Sequence, residues 1–375
     1  MEQMNSMKEI KGTAENGYTD SSMQLSAFLQ CLPAWFEKNK RELPWRSDPA
    51  PYHVWLSEIM LQQTRVEAVK GYYGRFLTAL PDLQALAEAP EDVILKLWEG
   101  LGYYNRIRNM QKAARQVTES GRNQLPGTKE ELLQLPGIGS YTAGAIASIA
   151  FGRRETAVDG NVLRVLSRIR CDARVIDDQK VRTSVEEELM ACYPEKGAGN
   201  LNQALMDLGA MVWIPNGRPL CDQCPAAWIC QAHRQGTETD YPVRKAKAAR
   251  KDEDRTVLLL QDAGLTALRK RPANGLLAGM YEFPCLDGHA DRQQVIEYLK
   301  ELELQPIRIT ALQEAEHIFT HKVWHMTGYR IRVDELEPVT EKAAAEGIFF
   351  AETGDIHDKY AIPSAYSVYL KYLNS

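Results

Sequence analysis

The sequence predicts a mainly helical region followed by a smaller mixed α/β domain. From about residue 24 to 235, apolar residues recur with the 3.6-residue period of helices, broken by Pro/Gly signals such as "LPG" at 125–127 and 135–137. Residues 241–255, "YPVRKAKAARKDEDR", are dense in charge and poor in large apolar side chains, which is typical of a linker. Beyond them the pattern becomes strand-like, so we expect a separate α/β domain.

Three segments support the prediction of that second domain. "TVLLLQDAGLTALRKR" predicts a hairpin turning at Asp262, Ala263 and Gly264. "DRQQVIEYLKELE" has the pattern of an amphipathic helix, and "WHMTGYRIRVDEL" is strand-like. We therefore expect a disordered tail at 1–23, a helical domain at 24–240, a linker at 241–255 and an α/β domain at 256–375.

Composition is that of an ordinary globular protein. The chain has 375 residues, of which 44% are hydrophobic and 25% charged, enough for two or three domains. The start, "MEQMNSMKEIKGTAENGYTD", has no apolar signal region, and the apolar run "AGAIASIAF" is too short for a membrane span. We expect a cytoplasmic protein with no membrane partner. Its seven cysteines then favour reduced thiols or metal ligation over a disulfide framework.

Charge is unevenly distributed along the chain. The formal net charge is −5, yet residues 100–182 hold fourteen Lys or Arg against eight Asp or Glu. A local basic face of this kind suits a nucleic-acid partner despite the acidic total. A solvated helical surface explains the same excess, so charge alone does not decide between the two.

The most informative segment is "LPGIGSYTAGAIASIAFGRRETAVDGNVLRVLSRI", residues 135–169. Gly137 and Gly139 predict a tight turn before a helix, whose free N–H groups suit a DNA phosphate. A plain packing joint between helices gives the same pattern. Asp159 precedes Gly160 and an apolar-periodic helix, so its ordinary role is an N-cap contributing roughly 1 kcal/mol.

This segment resembles the helix-hairpin-helix glycosylase superfamily, in which that aspartate is catalytic. The resemblance implies a six-helix barrel lobe and a second helical lobe. Superfamily members that also cut the strand carry a lysine nucleophile after "PGIGS" for a Schiff base. This chain has Tyr141 there, which points to a monofunctional glycosylase.

A second segment, "LPWRSDPAPYHVWLSEIMLQQTRVEAV" at 43–69, places Glu58 among apolar helical neighbours. A carboxyl in such surroundings has a raised pKa, which suits a general acid, although an exposed helical glutamate is the commoner outcome. Together with "GLGYYNRIRN" (100–109), "SEIMLQQTRV" resembles the adenine DNA glycosylases of the MutY type.

The resemblance implies excision of adenine mispaired with 8-oxoguanine or guanine in double-stranded DNA, after the adenine is flipped out of the duplex. Glu58 would protonate adenine N7, and Asp159 would stabilise the oxocarbenium-like sugar, much as paired carboxylates act in glycosidases. Tyr141 and Asn161 match positions that hold these carboxylates. The remaining implied DNA contacts are Arg46 beside the adenine, Gln63 and Tyr103 in the stack, Thr64 as a further DNA-binding residue, and Gly137 and Gly139 on the backbone.

The C-terminal segments "GLLAGMYEFP" and "HIFTHKVWHM" resemble the Nudix-like domain of the same family, which reads 8-oxoguanine. The Nudix hydrolase signature with its Glu-rich metal box is absent, so pyrophosphate hydrolysis is not expected. The family's Phe-Ser-His reading loop is here Phe319, Thr320 and His321. Threonine keeps the hydroxyl but adds a methyl group. We expect the protein to act as a monomer.

The cysteine motif raises a separate question. Cys221, Cys224 and Cys230 match three of the four ligands of the family's [4Fe–4S] cluster, but the first ligand position is Trp213, which cannot ligate iron. Three outcomes stay open. A three-thiolate cluster forms with solvent or a remote ligand such as Cys192, or the thiols take zinc, or no metal binds. We favour the three-thiolate cluster.

Two rival functions also fit parts of the sequence. One is an endonuclease III-like glycosylase with lyase activity, which Tyr141 and the C-terminal domain disfavour. The other is a non-catalytic lesion-binding protein, which the pair Glu58 and Asp159 disfavours.

Overall fold

The computed structural model describes residues 21–214, 217–246 and 248–373. Helices account for the regular structure up to residue 246, and within the described residues no strand precedes Lys251. These helices are α1 (Ser21–Asn39), α2 (Pro44–Ser47), α3 (Pro51–Leu61), α4 (Val66–Ala79), α5 (Leu83–Glu88), α6 (Glu91–Leu97), α7 (Asn105–Glu119), α8 (Lys129–Leu132), α9 (Ser140–Ile149), α10 (Gly160–Arg170), α11 (Gln179–Cys192), α12 (Ala198–Met211) and α13 (Gln231–Gln235).

The remainder is mixed α/β. Its elements are β1 (Lys251–Asp262), β2 (Leu265–Lys270), β3 (Tyr281–Glu282), β4 (Cys285–Asp287), α14 (Arg292–Glu301), β5 (Pro306–Ala311), β6 (Ala315–Ile318), β7 (Lys322–Val333), α15 (Glu341–Ala345), β8 (Ile348–Glu352), α16 (Ile356–Lys359) and α17 (Ser367–Leu370). The predicted order of a helical region followed by an α/β region is confirmed. No helix in the described part of the chain is long and apolar enough to cross a membrane.

The chain divides into two compact units. The first unit comprises residues up to 73 together with 112–246. Its core is formed by α1, α10, α11 and α12, whose apolar faces meet at Phe28, Leu166, Leu189 and Leu205, all fully or almost fully buried.

Two glycines in this unit permit close backbone approaches. A Cβ on Gly144 of α9 would lie 1.9 Å from the carbonyl oxygen of Thr156, and a Cβ on Gly209 of α12 would lie 2.5 Å from the Cβ of Asn161. Any larger residue would push these elements apart. Both contacts fix the chain on either side of Asp159.

The second unit comprises residues 74–111 and those from 247 onward. Its sheet has the order β3-β2-β1-β7-β5, with β4 on β1, β6 on β7 and β8 on β2. Strands β1 and β7 are parallel, and the other pairs are antiparallel. Alternate residues of the run at 257–260 enter two cores on opposite faces of the sheet. Burial on both faces explains its continuous apolar character.

Local predictions hold in this unit, and two segment boundaries, one in each unit, differ from those expected. The hairpin turns at 262–264, where Gln261 pairs with Thr266, and the predicted helix and strand are α14 and β7. Strand β1 already begins at Lys251, inside the expected linker 241–255, because residues 251–255 pair with β7. Helix α1 begins at Ser21, within the expected tail 1–23, of which residues 1–20 lie outside the described ones.

Candidate functional site

A cavity of about 680 Å³ lies within the first unit and is lined by most of the predicted site residues. Its volume is in the range of small-ligand sites. The predicted residues that line it are Arg46, Glu58, Gln63, Thr64, Gly137, Gly139, Tyr141, Asp159 and Asn161. Segments that lie more than 100 residues apart in sequence therefore converge on one site.

Glu58 lies near the end of α3 and is only 5% exposed. Its neighbours Trp55, Leu56 and Ile59 are buried, so water is largely excluded from the carboxyl group. Burial raises the pKa of Glu58 to about 7, and the charge of Asp159 adds to the rise. The Tyr141 hydroxyl, which donates a hydrogen bond to Oε2, and the Arg46 charge act in the opposite direction. A carboxyl with this pKa holds a proton near neutral pH and releases it readily.

Asp159 is the N-cap of α10, and it also faces the cavity. Its Oδ1 accepts the backbone N–H groups of Asn161 at 2.9 Å and Val162 at 2.8 Å, and its Oδ2 accepts Asn161 Nδ2 at 2.6 Å. Burial raises its pKa, while these three donors and Arg164 oppose the rise. The ordinary N-cap role and a site role therefore coincide in this residue.

Tyr141 occupies the first turn of α9, the helix that follows the glycine turn. Gly137 takes a left-handed backbone with φ 78°, which favours glycine. Gly139 is the N-cap of α9 and supplies no side-chain cap, so the first N–H groups of the helix remain available. Among the described residues that line the cavity there is no lysine.

Sequence reasoning missed the ionic partner of Arg46. Asp207 is fully buried on α12, and its carboxylate accepts Arg46 Nη1 at 2.7 Å and Arg41 Nη2 at 2.5 Å. The signal that was present is the single aspartate in the apolar stretch "LMDLGAMV". A fully buried carboxylate needs such partners.

Arg164 was missed as well. It lies on α10, almost fully buried, and its Nη2 donates to Asn161 Oδ1 and to the carbonyl of Gly209, each at 2.7 Å. Its Nε donates to the carbonyl of Trp213 at 2.6 Å. The Asn161 amide that holds Asp159 is thus held by Arg164, which is itself fixed by Gly209 of α12 and by Trp213 beyond the end of that helix.

Gln63 lies on the rim of the cavity with an exposed side chain and a left-handed backbone, φ 60°. Tyr103 belongs to the second unit and has the same kind of backbone, φ 49°, with its ring 48% exposed. Left-handed conformations of non-glycine residues cost free energy and cluster at functional positions. Both residues were predicted to enter the DNA stack.

The second unit brings Tyr103 to the predicted reading loop between β6 and β7. The hydroxyl groups of Tyr103 and Thr320 are 2.5 Å apart. Phe319 packs on Trp324 with ring centroids 4.8 Å apart, which anchors the loop to the core. A pocket of about 580 Å³ is lined by Tyr103, Phe319, Thr320 and His321. His317, which sequence reasoning missed, lines it as well.

The three motif cysteines lie in the segment after α12, but they have different neighbours. Cys221 lies 3.7 Å from Glu238 Oε1, Cys224 accepts a hydrogen bond from Trp213 Nε1 at 3.2 Å, and Cys230 donates to the carbonyl of Arg168. The indole of Trp213 is 3% exposed and belongs to the core.

A fourth cysteine, Cys31 on α1, also approaches the motif. Burial raises the pKa of its thiol to about 12, with a further contribution from Cys224. The described residues also contain one group of potential metal ligands, formed by Cys221, His233 and Glu238.

Comparisons with known proteins agree with this architecture. Residues 56–191 match the family described as HhH-GPD superfamily base excision DNA repair protein, and residues 255–372 match the NUDIX domain. Among solved structures, a thermostable thymine-DNA glycosylase is 25% identical with a TM-score of 0.51, and the match covers 57% of this chain and 98% of that one. A trapped endonuclease III–DNA covalent intermediate is 23% identical with a TM-score of 0.51, covering 58% and 99%, and shows a shared fold.

Curated relatives extend the match over most of the chain. Adenine DNA glycosylase of Mus musculus is 34% identical over 88% of this chain and 75% of its own. That of Homo sapiens is 36% identical over 84% and 69%. The enzyme of Buchnera aphidicola subsp. Schizaphis graminum is 31% identical over 81% and 86%.

Proposed function

Because this chain belongs to the adenine DNA glycosylase family, we propose how its cavity removes adenine and which mispair it serves. The protein is a base excision repair glycosylase that removes adenine. The proposal concerns the residues that carry out the reaction, the identity of the opposite base, and the fate of the DNA strand. It rests above all on the presence of Glu58 and Asp159 in one cavity, with Tyr141 hydrogen-bonded to Glu58.

Glu58 is the general acid. With a pKa of about 7, roughly half of its carboxyl groups are protonated at neutral pH. Proton transfer to N7 of a flipped adenine makes the base a better leaving group. Tyr141 holds the carboxyl by its hydrogen bond to Oε2 and so orients the proton toward the cavity. Arg46, fixed by Asp207, forms the neighbouring wall.

Asp159 stabilises the positive charge that develops on the sugar as the glycosidic bond breaks. Its three hydrogen-bond donors favour the ionised form, which the role requires. The same carboxylate directs water to the sugar carbon. Asn161 and Arg164 are positioning residues, because they touch Asp159 and Asn161 respectively rather than substrate.

The reaction leaves the DNA strand uncut. Members of this superfamily that cut the strand do so through a Schiff base, which requires an amine in the cavity. The position after "PGIGS" is Tyr141, and the described cavity lining holds no lysine. The expected product is therefore an abasic site.

The opposite base is 8-oxoguanine, read by the loop at 319–321. 8-Oxoguanine differs from guanine by an oxygen on C8 and a hydrogen on N7. A hydrogen-bond acceptor can recognise the N7 hydrogen. When the Thr320 hydroxyl donates to Tyr103, its lone pairs are free to accept that hydrogen. The positive end of α9 and the glycine turn suit a phosphate of double-stranded DNA.

The predicted [4Fe–4S] cluster stays a prediction, with poor support from the residues present. Four thiolates are the usual ligand set, whereas Trp213 supplies an indole that hydrogen-bonds to Cys224. No step of the proposed chemistry passes through this segment. The expectations of a monomer and a cytoplasmic location also stay predictions.

The test is single-turnover incubation with duplexes that carry adenine opposite 8-oxoguanine, guanine or thymine. We expect rapid adenine release only opposite 8-oxoguanine, slower release opposite guanine, and strand cleavage only after alkali. Glu58→Gln should abolish release while duplex binding persists. Equal turnover by this variant would refute the assignment of the acid, and alkali-independent cleavage would refute the monofunctional mechanism.

A further inference from the structure

Three side chains of different chemistry converge in the segment that follows α12. Cys221 begins a short turn (221–223), His233 lies on α13, and Glu238 follows that helix. Glu238 Oε1 lies 2.8 Å from His233 Nδ1 and 3.7 Å from Cys221 Sγ, and all three ligand atoms lie within 4.8 Å of one another. Cys221 is half-buried and the Glu238 side chain is 13% exposed, whereas the His233 side chain is 41% exposed, so the group faces solvent on the His233 side.

The distances in this group are close to those of a tetrahedral metal site. Zinc bonds of about 2.3 Å to sulfur and about 2.1 Å to oxygen place those two atoms about 3.6 Å apart. The observed separation is 3.7 Å. The nitrogen and oxygen need to be about 3.4 Å apart in the same geometry, so the 2.8 Å pair must open by roughly 0.6 Å.

We propose that Cys221, His233 and Glu238 bind one divalent transition-metal ion of the zinc class. A thiolate, an imidazole and a carboxylate together suit zinc or cobalt better than calcium or magnesium, which prefer oxygen ligands alone. The thiolate and the carboxylate together neutralise the ion. The fourth position is taken by water, since the His233 side of the group faces solvent.

The remaining motif cysteines are used differently, which separates this site from a thiolate cluster. Cys224 is engaged by the Trp213 indole and Cys230 by the Arg168 carbonyl. The guanidinium of Arg168 lies near Cys221, Cys230 and Glu238, and its Nη1 is buried without a hydrogen-bond partner among the described residues. An anionic ligand set beside this cation is therefore favoured, and only one of the three thiols contributes to it.

The bound ion would act as a structural clip. It joins the turn at 221–223 to α13 and to the chain that leads toward the linker, so it closes a loop of the segment after α12. Because the ion binds the folded state alone, it raises the free energy of unfolding, and with it the unfolding temperature, with the logarithm of metal concentration over the dissociation constant. This inference does not depend on the proposed substrate.

The test uses the full-length protein purified without chelator. Metal analysis should give one zinc ion per chain with no acid-labile sulfide. After removal of zinc, titration with Co²⁺ should give the visible d–d bands of a tetrahedral site and a thiolate-to-cobalt band. His233→Ala, an exposed position that tolerates truncation, should weaken Co²⁺ binding by more than the roughly 10- to 100-fold that loss of an outer-shell partner costs.

His53→Ala is the matched control. His53 Nδ1 also pairs with a carboxylate, Asp48 Oδ2, at 3.0 Å, but His53 does not belong to the proposed ligand group. It should bind Co²⁺ as the wild type does. Glu238→Gln should weaken binding and Cys221→Ser should remove the thiolate-to-cobalt band. Four irons with four sulfides, failure of the apoprotein to bind Co²⁺, or undiminished binding by His233→Ala would each overturn the assignment.

Discussion

The hydrogen bond from Tyr141 to Glu58 allows a quantitative prediction about the pH dependence of adenine release. Burial holds the pKa of Glu58 at about 7, and the Tyr141 hydroxyl lowers it from a higher value. Tyr141→Phe keeps the ring and removes the donor. A hydrogen bond to a charged group contributes about 1.5–3 kcal/mol, and one pKa unit corresponds to about 1.4 kcal/mol. The pKa of Glu58 should therefore rise by roughly one to two units.

The direction of the effect follows from the role of Glu58 as an acid. The active form has Glu58 protonated and Asp159 ionised, so on the alkaline side of the profile the single-turnover rate constant falls tenfold per pH unit above the pKa of Glu58. The wild-type profile should bend near pH 7, and the Tyr141→Phe profile at roughly pH 8 to 9. Each profile is normalised to its own plateau, so a general loss of activity does not move the bend.

The assay is rapid-quench measurement of adenine release from a duplex with one 8-oxoguanine:adenine pair. Glu58→Gln serves as the control, because any trace of release that it retains should show no bend in this range. A Tyr141→Phe profile that bends at the wild-type pH or below it would refute the reasoning, since it would mean that the phenol does not stabilise the carboxylate.

Three further predictions concern the surroundings of this pair. Asp207→Asn should lower the free energy of unfolding by roughly 2–3 kcal/mol in urea titrations, because Arg41 and Arg46 lose a fully buried partner and are themselves partly exposed. Thr320→Val should cut the preference for 8-oxoguanine over guanine by roughly two- to tenfold in binding assays, whereas Thr320→Ser should retain it. Glu58→Gln should stabilise the fold by about 3 kcal/mol at pH 8.5 and by much less at pH 5. Burial raises the pKa of Glu58 from 4.5 to about 7, so the free-energy cost of ionising it in the folded state appears only as pH rises through that window. An equal gain at both pH values would contradict the last prediction.

The helical region and the positions of the proposed catalytic pair could be predicted because their signals are local. The turn at Gly137 and the N-cap at Asp159 are each written within a few consecutive residues, and Glu58 lies in an unusually apolar helix. Family resemblance supplied their joint role, which no single segment carries.

The missed ionic partner of Arg46 and the missed contact of Tyr103 with Thr320 depend on residues distant in sequence. Asp207 pairs with Arg46 across 161 positions, and Tyr103 meets Thr320 across 217. No periodicity links such residues, and only tertiary packing brings them together. The start of β1 was misjudged for a related reason. Lys251 and the residues after it are held by backbone hydrogen bonds to β7. Such pairing does not depend on the type of side chain, so the charged sequence of this segment resembles that of a linker.

The division of labour between the two carboxyl groups follows from how unequally they are solvated by the protein. Both lie in one cavity, burial raises the pKa of both, and the charge of Asp159 raises the pKa of Glu58 further. Asp159 accepts three hydrogen bonds from Asn161 and Val162, whereas Glu58 accepts one from Tyr141. When two nearby carboxyl groups compete for one proton, the group with fewer donors keeps it. In the proposed mechanism Glu58 is therefore the proton donor and Asp159 the anion, and the N-cap geometry of α10 is the reason for assigning the roles in this order.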